Sequence, residues 1–425
     1  MTYRNRLLLS TAAAALMCGA VSAKGYAADL GGGCCGDLEE RVAELEATTA
    51  RKGNRVVSLE ISGQVNRALL IWDDGTNADA YVVDPDSDGS RFRFVGKAQL
   101  KPGWSAGYIM ELTTVDSASN FVSQIDDEGK NESQGISIRQ NALFVDSERL
   151  GRLTIGQVSQ PTDGINEIDV VGTYTTVAKT HYAGNFFVNH ADGGYFDNGL
   201  RFQDILGAIG GGQEDIVRYD SPSIYGFIIS AAWGDNDVWD VALHFEKQFN
   251  SVKVVGGIGY LDDQRDNEFG DGQLQNGNFL SGSISAQHVP TGLFATFAAG
   301  RKEFDDDDLS DAENWYVKGG ISRNWFGYGA TTLFVDYAHF EGFGEGQAFN
   351  LDNDLGAPRN DFVLSSEASV WGFGVVQSFD SAALNIYAVA QFFDSDVDAA
   401  IDGIGTTALD PEDHMAIVIG SHIKF

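Results

Sequence analysis

The chain has 425 residues, 43% of them hydrophobic, with 61 Asp+Glu against 28 Lys+Arg and a formal net charge of -33. That acidity excludes nucleic acid and anionic surfaces as general partners. Length alone would suggest two or three soluble domains, but all-β barrels run to this size as single units.

Residues 1–27 read as a secretory signal: Arg4 and Arg6 form the positive end, an apolar core follows over 7–21, and cleavage falls after Ala23 or Ala27. Lipid attachment at Cys18 is disfavoured by the bulky Met17 before it. No later run approaches the ~18 apolar residues of a membrane helix. The mature chain is therefore expected to be exported without a helical anchor. Residues 28–54 form a short helical extension: 37–49 (DLEERVAELEATT) puts Leu38, Val42 and Leu45 on one stripe, a helix either solvated or associated with its own copies. Cys34 and Cys35 precede it in an oxidising compartment, where inter-subunit bonds and free thiols are both open.

From Val57 onward the period changes to two. Val57, Leu59, Ile61 and Val65 share one face of the first strand, and Ser58, Glu60, Ser62 and Gln64 the other. The pattern recurs near 92–100, 104–112, 136–145, 151–157, 215–219, 225–233, 238–249, 252–261, 278–288, 293–301, 314–325, 330–340, 367–379, 384–393 and 414–425. Most of these approach the about 9–11 residues that a tilted strand needs to cross hydrocarbon.

The links supply a second regularity. After odd strands they are mostly long and polar, as at 73–89, 116–135 and 158–213, and after even strands short, as at 101–103, 250–251 and 380–383; the 234–237 link is the one short exception on the long side. Alternating long and short links are what an up-and-down membrane barrel produces, with short turns at one end and long loops at the other. A soluble sandwich needs no such asymmetry, and no fixed repeat supports a solenoid. The last strand fits: Met415, Ile417, Ile419, Ile423 and the terminal Phe425 fall on one face. The fold class expected at 55–425 is an all-β, 16-stranded antiparallel transmembrane β-barrel, preceded by the helical extension.

The stretches 90–96 (SRFRFVG), 140–145, 150–157 (LGRLTIGQ) and 217–222 (VRYDSP), with Gly226, Phe227 and terminal Phe425, resemble the sixteen-stranded general porins of Gram-negative bacteria, most closely the alphaproteobacterial ones. The segment 37–54 is similar to a short helical extension some of them carry. The resemblance implies an outer-membrane homotrimer, passive diffusion of small hydrophilic solutes and ions, no cofactor, and a third external loop, here 158–213, folded inward as a constriction. The Pro-Glu-Phe-Gly-Gly constriction motif of enterobacterial relatives is absent from this chain.

Alternation also assigns charges to the lumen. A Lys or Arg facing lipid near the midplane costs about 2–4 kcal/mol, so Arg91, Arg93 and Lys97, opposite in facing to Phe92, Phe94 and Ala98, should point inward. Arg139 and Arg152 follow by the same logic, whereas Arg67 falls on the apolar parity and its facing stays open. The five would form a basic wall against Asp163, Glu167 and Asp169 of the loop, with 161–169 entering the pore. Such a wall would set up a transverse field that orients dipolar solutes. The alternative is that the arginines form wall salt bridges with strand carboxylates such as Glu111. Overall acidity suggests mild cation selectivity. The run 305–308 would either hold divalent cations with lipopolysaccharide or be a solvated loop tip.

Catalysis finds little support. No nucleophile elbow is present and the 7 His are dispersed, so the chain is not expected to be an enzyme or to hold a metal. An outer-membrane hydrolase built on His244 and a plugged structural or adhesive barrel are the remaining alternatives.

Overall fold

The computed structural model describes residues 56–129, 135–188, 199–234, 238–263, 277–305, 309–349, 361–401, 405–409 and 411–425. The signal at 1–27 and the extension with Cys34 and Cys35 lie outside the described residues.

Nineteen strands are found among the described residues. They are β1 (Ser58–Asp73), β2 (Ala78–Val83), β3 (Arg91–Lys101), β4 (Trp104–Val115), β5 (Gly135–Ser147), β6 (Gly151–Ser159), β7 (Gln213–Asp220), β8 (Phe227–Gly234), β9 (Trp239–Phe249), β10 (Val252–Asp263), β11 (Gly277–His288), β12 (Leu293–Phe304), β13 (Ala312–Arg323), β14 (Thr331–Glu341), β15 (Ala348–Phe349), β16 (Asp361–Phe379), β17 (Leu384–Ile401), β18 (Gly405–Leu409) and β19 (His414–Lys424). Sixteen of them form the wall. The other three, β2, β15 and β18, extend it by pairing with the far ends of β1, β16 and β17. Each wall strand pairs antiparallel with the next, and β1 closes the ring on β19, from Gln64↔Lys424 to Asp73↔Met415. Closure leaves the wall no open edge, the condition for strands to span a membrane.

Alternation decides which face is which. Leu143, Leu153, Ile155, Ile284, Val335 and Phe373 stand exposed on the outside, as a lipid-facing surface requires. The short links are tight: Asn250, at the two-residue turn between β9 and β10, takes φ 49°, the left-handed conformation such a hairpin demands and Asn tolerates. Three strands run beyond their expected limits. β1 continues to Asp73, and β16 and β17 have 19 and 18 residues. The extra portion of β17 alternates in the inverse sense, with Asp394, Asp396 and Asp398 exposed and Val397, Ala399 and Ile401 buried, so its acidic face reads in the sequence as a loop.

Candidate functional site

The segment between β6 and β7 leaves the wall at Gln160, whose N–H donates to Gly212 O at 2.8 Å across the loop's neck. From Thr162 to Tyr174 it follows the inner wall in strand order, and at Lys179 it turns back to β14. Thr162 donates through N and Oγ1 to Asp240 of β9, both at 2.8 Å. Ile168 and Val170 donate N–H to Ser283 and Ser285 of β11. Asp169 meets Lys318 of β13, and Lys179 meets Asp336 of β14, each at 2.6 Å. Farthest across, the Tyr174 hydroxyl lies 2.7 Å from His422 Nδ1 of β19 and accepts from Asn385 of β17 at 2.9 Å.

Apolar packing accompanies these bonds. Val177, Tyr182, Phe186, Phe202 and Ile205 of the loop share one buried cluster with inward residues Leu70, Trp72, Phe334, Val370, Val389, Phe393 and Val418. Much of the inner face from β14 round to β1 is thus apolar because the loop, and not water, covers it. The strands on that side turn few polar groups inward, and Asp336, Asn385 and His422 among them bond the loop, while β3 keeps a polar inner face.

That uncovered wall carries a basic cluster. Glu111 of β4 has a side chain 4% accessible and meets Arg91 Nη1 at 3.6 Å, Arg93 Nε at 3.4 Å and Arg139 Nη1 at 3.2 Å. Arg139 reaches it through a β-bulge. Glu111 pairs with Gln140 and Leu112 with Ile138, so Arg139 is the extra residue, and the local kink lets its side chain turn inward. Arg91 also donates to Asp88 Oδ1 at 2.8 Å.

A 530 Å³ space separates this wall from the loop. It is lined by Arg91, Arg139 and Thr113 on one side and by Asp163, Glu167, His181 and Gln213 on the other, with Asp86 at the edge. Asp163 accepts from Gln213 Nε2 at 2.6 Å. His181 Nδ1 lies 2.7 Å from Asp86 and Nε2 3.6 Å from Glu167. Burial works against charging the imidazole, but the two carboxylates outweigh it and push its pKa up to about 10. Burial likewise opposes the Glu167 carboxylate, which His181 and Thr176 nonetheless hold below its ordinary value.

The structure therefore brings together Arg91, Arg139, Asp163 and Glu167, with Arg93 adjoining through Glu111. Lys97 and Arg152 sit elsewhere. Both bond Asp146, at 3.2 and 2.5 Å, and line a separate 680 Å³ cavity at the short-turn end with Arg218, Asp220 and His244. Asp169 is turned to the wall against Lys318. Arg67 faces outward, ion-paired with Asp116 at its strand's outer half. His244 Nε2 lies 3.1 Å from Pro161 O at the start of the loop. Residues 306–308 of the acidic run lie outside the described residues.

Sequence reasoning missed His181, Asp86, Lys179, Lys318 and Asp336. Lys318 and Asp336 do stand on the inward parity of their strands, but nothing local names their partners, which are 149 and 157 positions away in the chain.

A closed sixteen-stranded barrel, apolar outside and crossed inside by an inserted loop, defines the outer-membrane type of transmembrane β-barrel. The family model for Gram-negative porins matches residues 10–398, and the chain belongs to that family. It is accordingly an outer-membrane porin. Solved structures with the same fold include an anion-selective porin from Comamonas acidovorans (14% identity, TM-score 0.55, covering 87% of this chain and 100% of that one). Others are in-vitro folded OmpT of Vibrio cholerae in its trimer form (12%, 0.53, 87% and 100%) and Salmonella typhi OmpF in complex with daunomycin (13%, 0.51, 88% and 99%). No curated protein matches this sequence.

Proposed function

We propose that the barrel is a water-filled channel for passive diffusion of small hydrophilic solutes and ions, narrowed by the inserted loop and acting without catalysis. The observation that carries this is the 530 Å³ space with guanidinium groups on the wall side and carboxylates on the loop side. Charged surfaces facing each other across a narrow lumen hold water and favour hydrated solutes over apolar ones. Arg91, Arg93 and Arg139 supply the basic side, Asp163 and Glu167 the acidic side, and Asp169 anchors the loop. Lys97 and Arg152 line the approach from the short-turn end. Liposome swelling with sugars of graded size tests the reading, together with ohmic currents in planar bilayers. Impermeable liposomes would favour the plugged structural or adhesive barrel. Esterase activity in a non-conducting preparation would favour the hydrolase.

The channel works as a homotrimer among outer-membrane lipids and lipopolysaccharide. Exposed Trp233, Trp239, Trp315 and Trp371 belt the outside at β8, β9, β13 and β16. By contrast β5, β6 and β7 present the paired row Asn141, Gln157 and Asp215 outward. Polar groups there are costly against lipid and suit a second copy. Oxidative cross-linking between copies at Gln157→Cys, and none at Val335→Cys, is the expected result.

A further inference from the structure

Four buried charges join the loop to the wall, and the channel reading uses only Asp169 of them, as an anchor. Lys179 and Asp336 have side chains 0% accessible, and those of Lys318 and Asp169 are 1% and 8% accessible. The two pairs have reciprocal polarity. In one the loop gives the cation and the wall the anion; in the other the wall gives the cation and the loop the anion. Thr175 ties them together. Its Oγ1 accepts from Lys179 Nζ at 3.0 Å and donates to Asp336 Oδ2 at 3.1 Å, while its carbonyl accepts from Lys318 Nζ at 3.0 Å. Lys318 Nζ also meets Thr173 Oγ1 at 2.6 Å, and Tyr316 donates to Asp336 Oδ2 at 3.3 Å beneath both ammonium groups.

The apolar contacts around this cluster are non-directional, and the flanking hydrogen bonds of Ile168, Val170 and Tyr174 join neutral groups, each costing only about 1 kcal/mol to exchange for another partner. The charges are different. A shift of the loop that brought Lys179 to Lys318, or Asp169 to Asp336, would bury like charges together without compensation. Replacing a buried ion-pair set by apolar groups often leaves stability unchanged, so the retained charges need another role, and registry is the best attested one. Tyr174 lies between the two pairs at φ 59°, a conformation that a non-glycine residue adopts only when its surroundings impose it.

We propose that Asp169, Lys179, Lys318 and Asp336 form a register lock. They add little net stability and select the single docking of the loop in which Asp163 and Glu167 face Arg91 and Arg139. All four are positioning residues that act through the loop. The inference rests on the channel reading above.

The experiment uses the full chain in planar bilayers, with thermal unfolding of the same preparations. Wild type is expected to show one open-channel current level per pore. Asp336→Asn, which strands Lys179, should split it into two or more levels. The exchange of both pairs, Asp169→Lys with Lys318→Asp and Lys179→Asp with Asp336→Lys, keeps their polarities reciprocal and should return a single level. The quadruple change Asp169→Leu, Lys179→Met, Lys318→Met, Asp336→Leu should unfold at or above the wild-type temperature and still show several levels. An apolar quadruple variant with one wild-type level, or one that fails to fold, overturns the lock. An exchange variant that folds with split levels overturns it too. If wild type carries no current at all, the channel reading is what fails.

Discussion

Glu111→Gln is the most informative single change. Three guanidinium groups converge on this carboxylate at 3.2 to 3.6 Å, and its own side chain is 4% accessible. Removing the charge leaves Arg91, Arg93 and Arg139 facing one another and the lumen, and raises the net charge of the cluster from +2 to +3. One unit charge acting across about 7 Å of water is worth about 0.6 kcal/mol, and about 0.1 M salt halves that. Anions gain and cations lose this amount together, so the anion-to-cation permeability ratio should rise about threefold. Stability should fall by only about 1–2 kcal/mol, since the arginines remain partly hydrated and the amide still accepts hydrogen bonds. Reversal potentials in a salt gradient measure the first effect and thermal unfolding the second. A potential that stays at the wild-type value, or moves toward cation preference, refutes the placement of this cluster on the conducting path. Glu111→Asp, which keeps the charge, should lie close to wild type in the same assay.

The other predictions concern the space in front of that wall. Arg93→Ala should enlarge single-channel conductance or shift ion selectivity, and unchanged values in bilayers would remove Arg93 from the narrow region. The His181 clamp should be insensitive to neutral pH. Its pKa, raised to about 10, makes its contribution complete below about 6.5 and lost only as pH rises through about 10. Glu167 is held below its ordinary value, so its contribution is present above that value and lost only as pH falls through the lowered one. Selectivity should therefore be flat from about pH 5.5 to 8.5, and a step near 6.5 would show that His181 titrates freely. Tyr174→Phe keeps the ring stack on Tyr387 at 4.1 Å but loses the bonds to His422 and Asn385. It should lower stability by about 1–2 kcal/mol in denaturant unfolding. An unchanged midpoint would mean that the loop tip does not depend on those bonds.

The sequence by itself determined the barrel. Period-two alternation is local: a side chain's parity relative to its neighbours decides whether it meets lipid or the interior, and long-short links decide which end is which. Arg91 and Arg93 were legible on that basis, because Phe92 and Phe94 fix their facing. Arg139 also turns inward, yet only the register with β4 shows that a bulge aims it at Glu111. The 158–213 segment was legible as an exceptional loop but not as a docked one, because its contacts with the wall are remote in the chain. Alternation cannot tell an apolar inner face packed by a loop from a strand that has lost its pattern, as at Ala68, Leu70 and Trp72. Nor can it tell Asp163, which faces the open space, from Asp169, six residues on, which is turned to Lys318. Tertiary structure decided those points. In an irregular segment side-chain direction has no period, and a buried charge goes where its partner is, here on strands more than a hundred residues further along the chain.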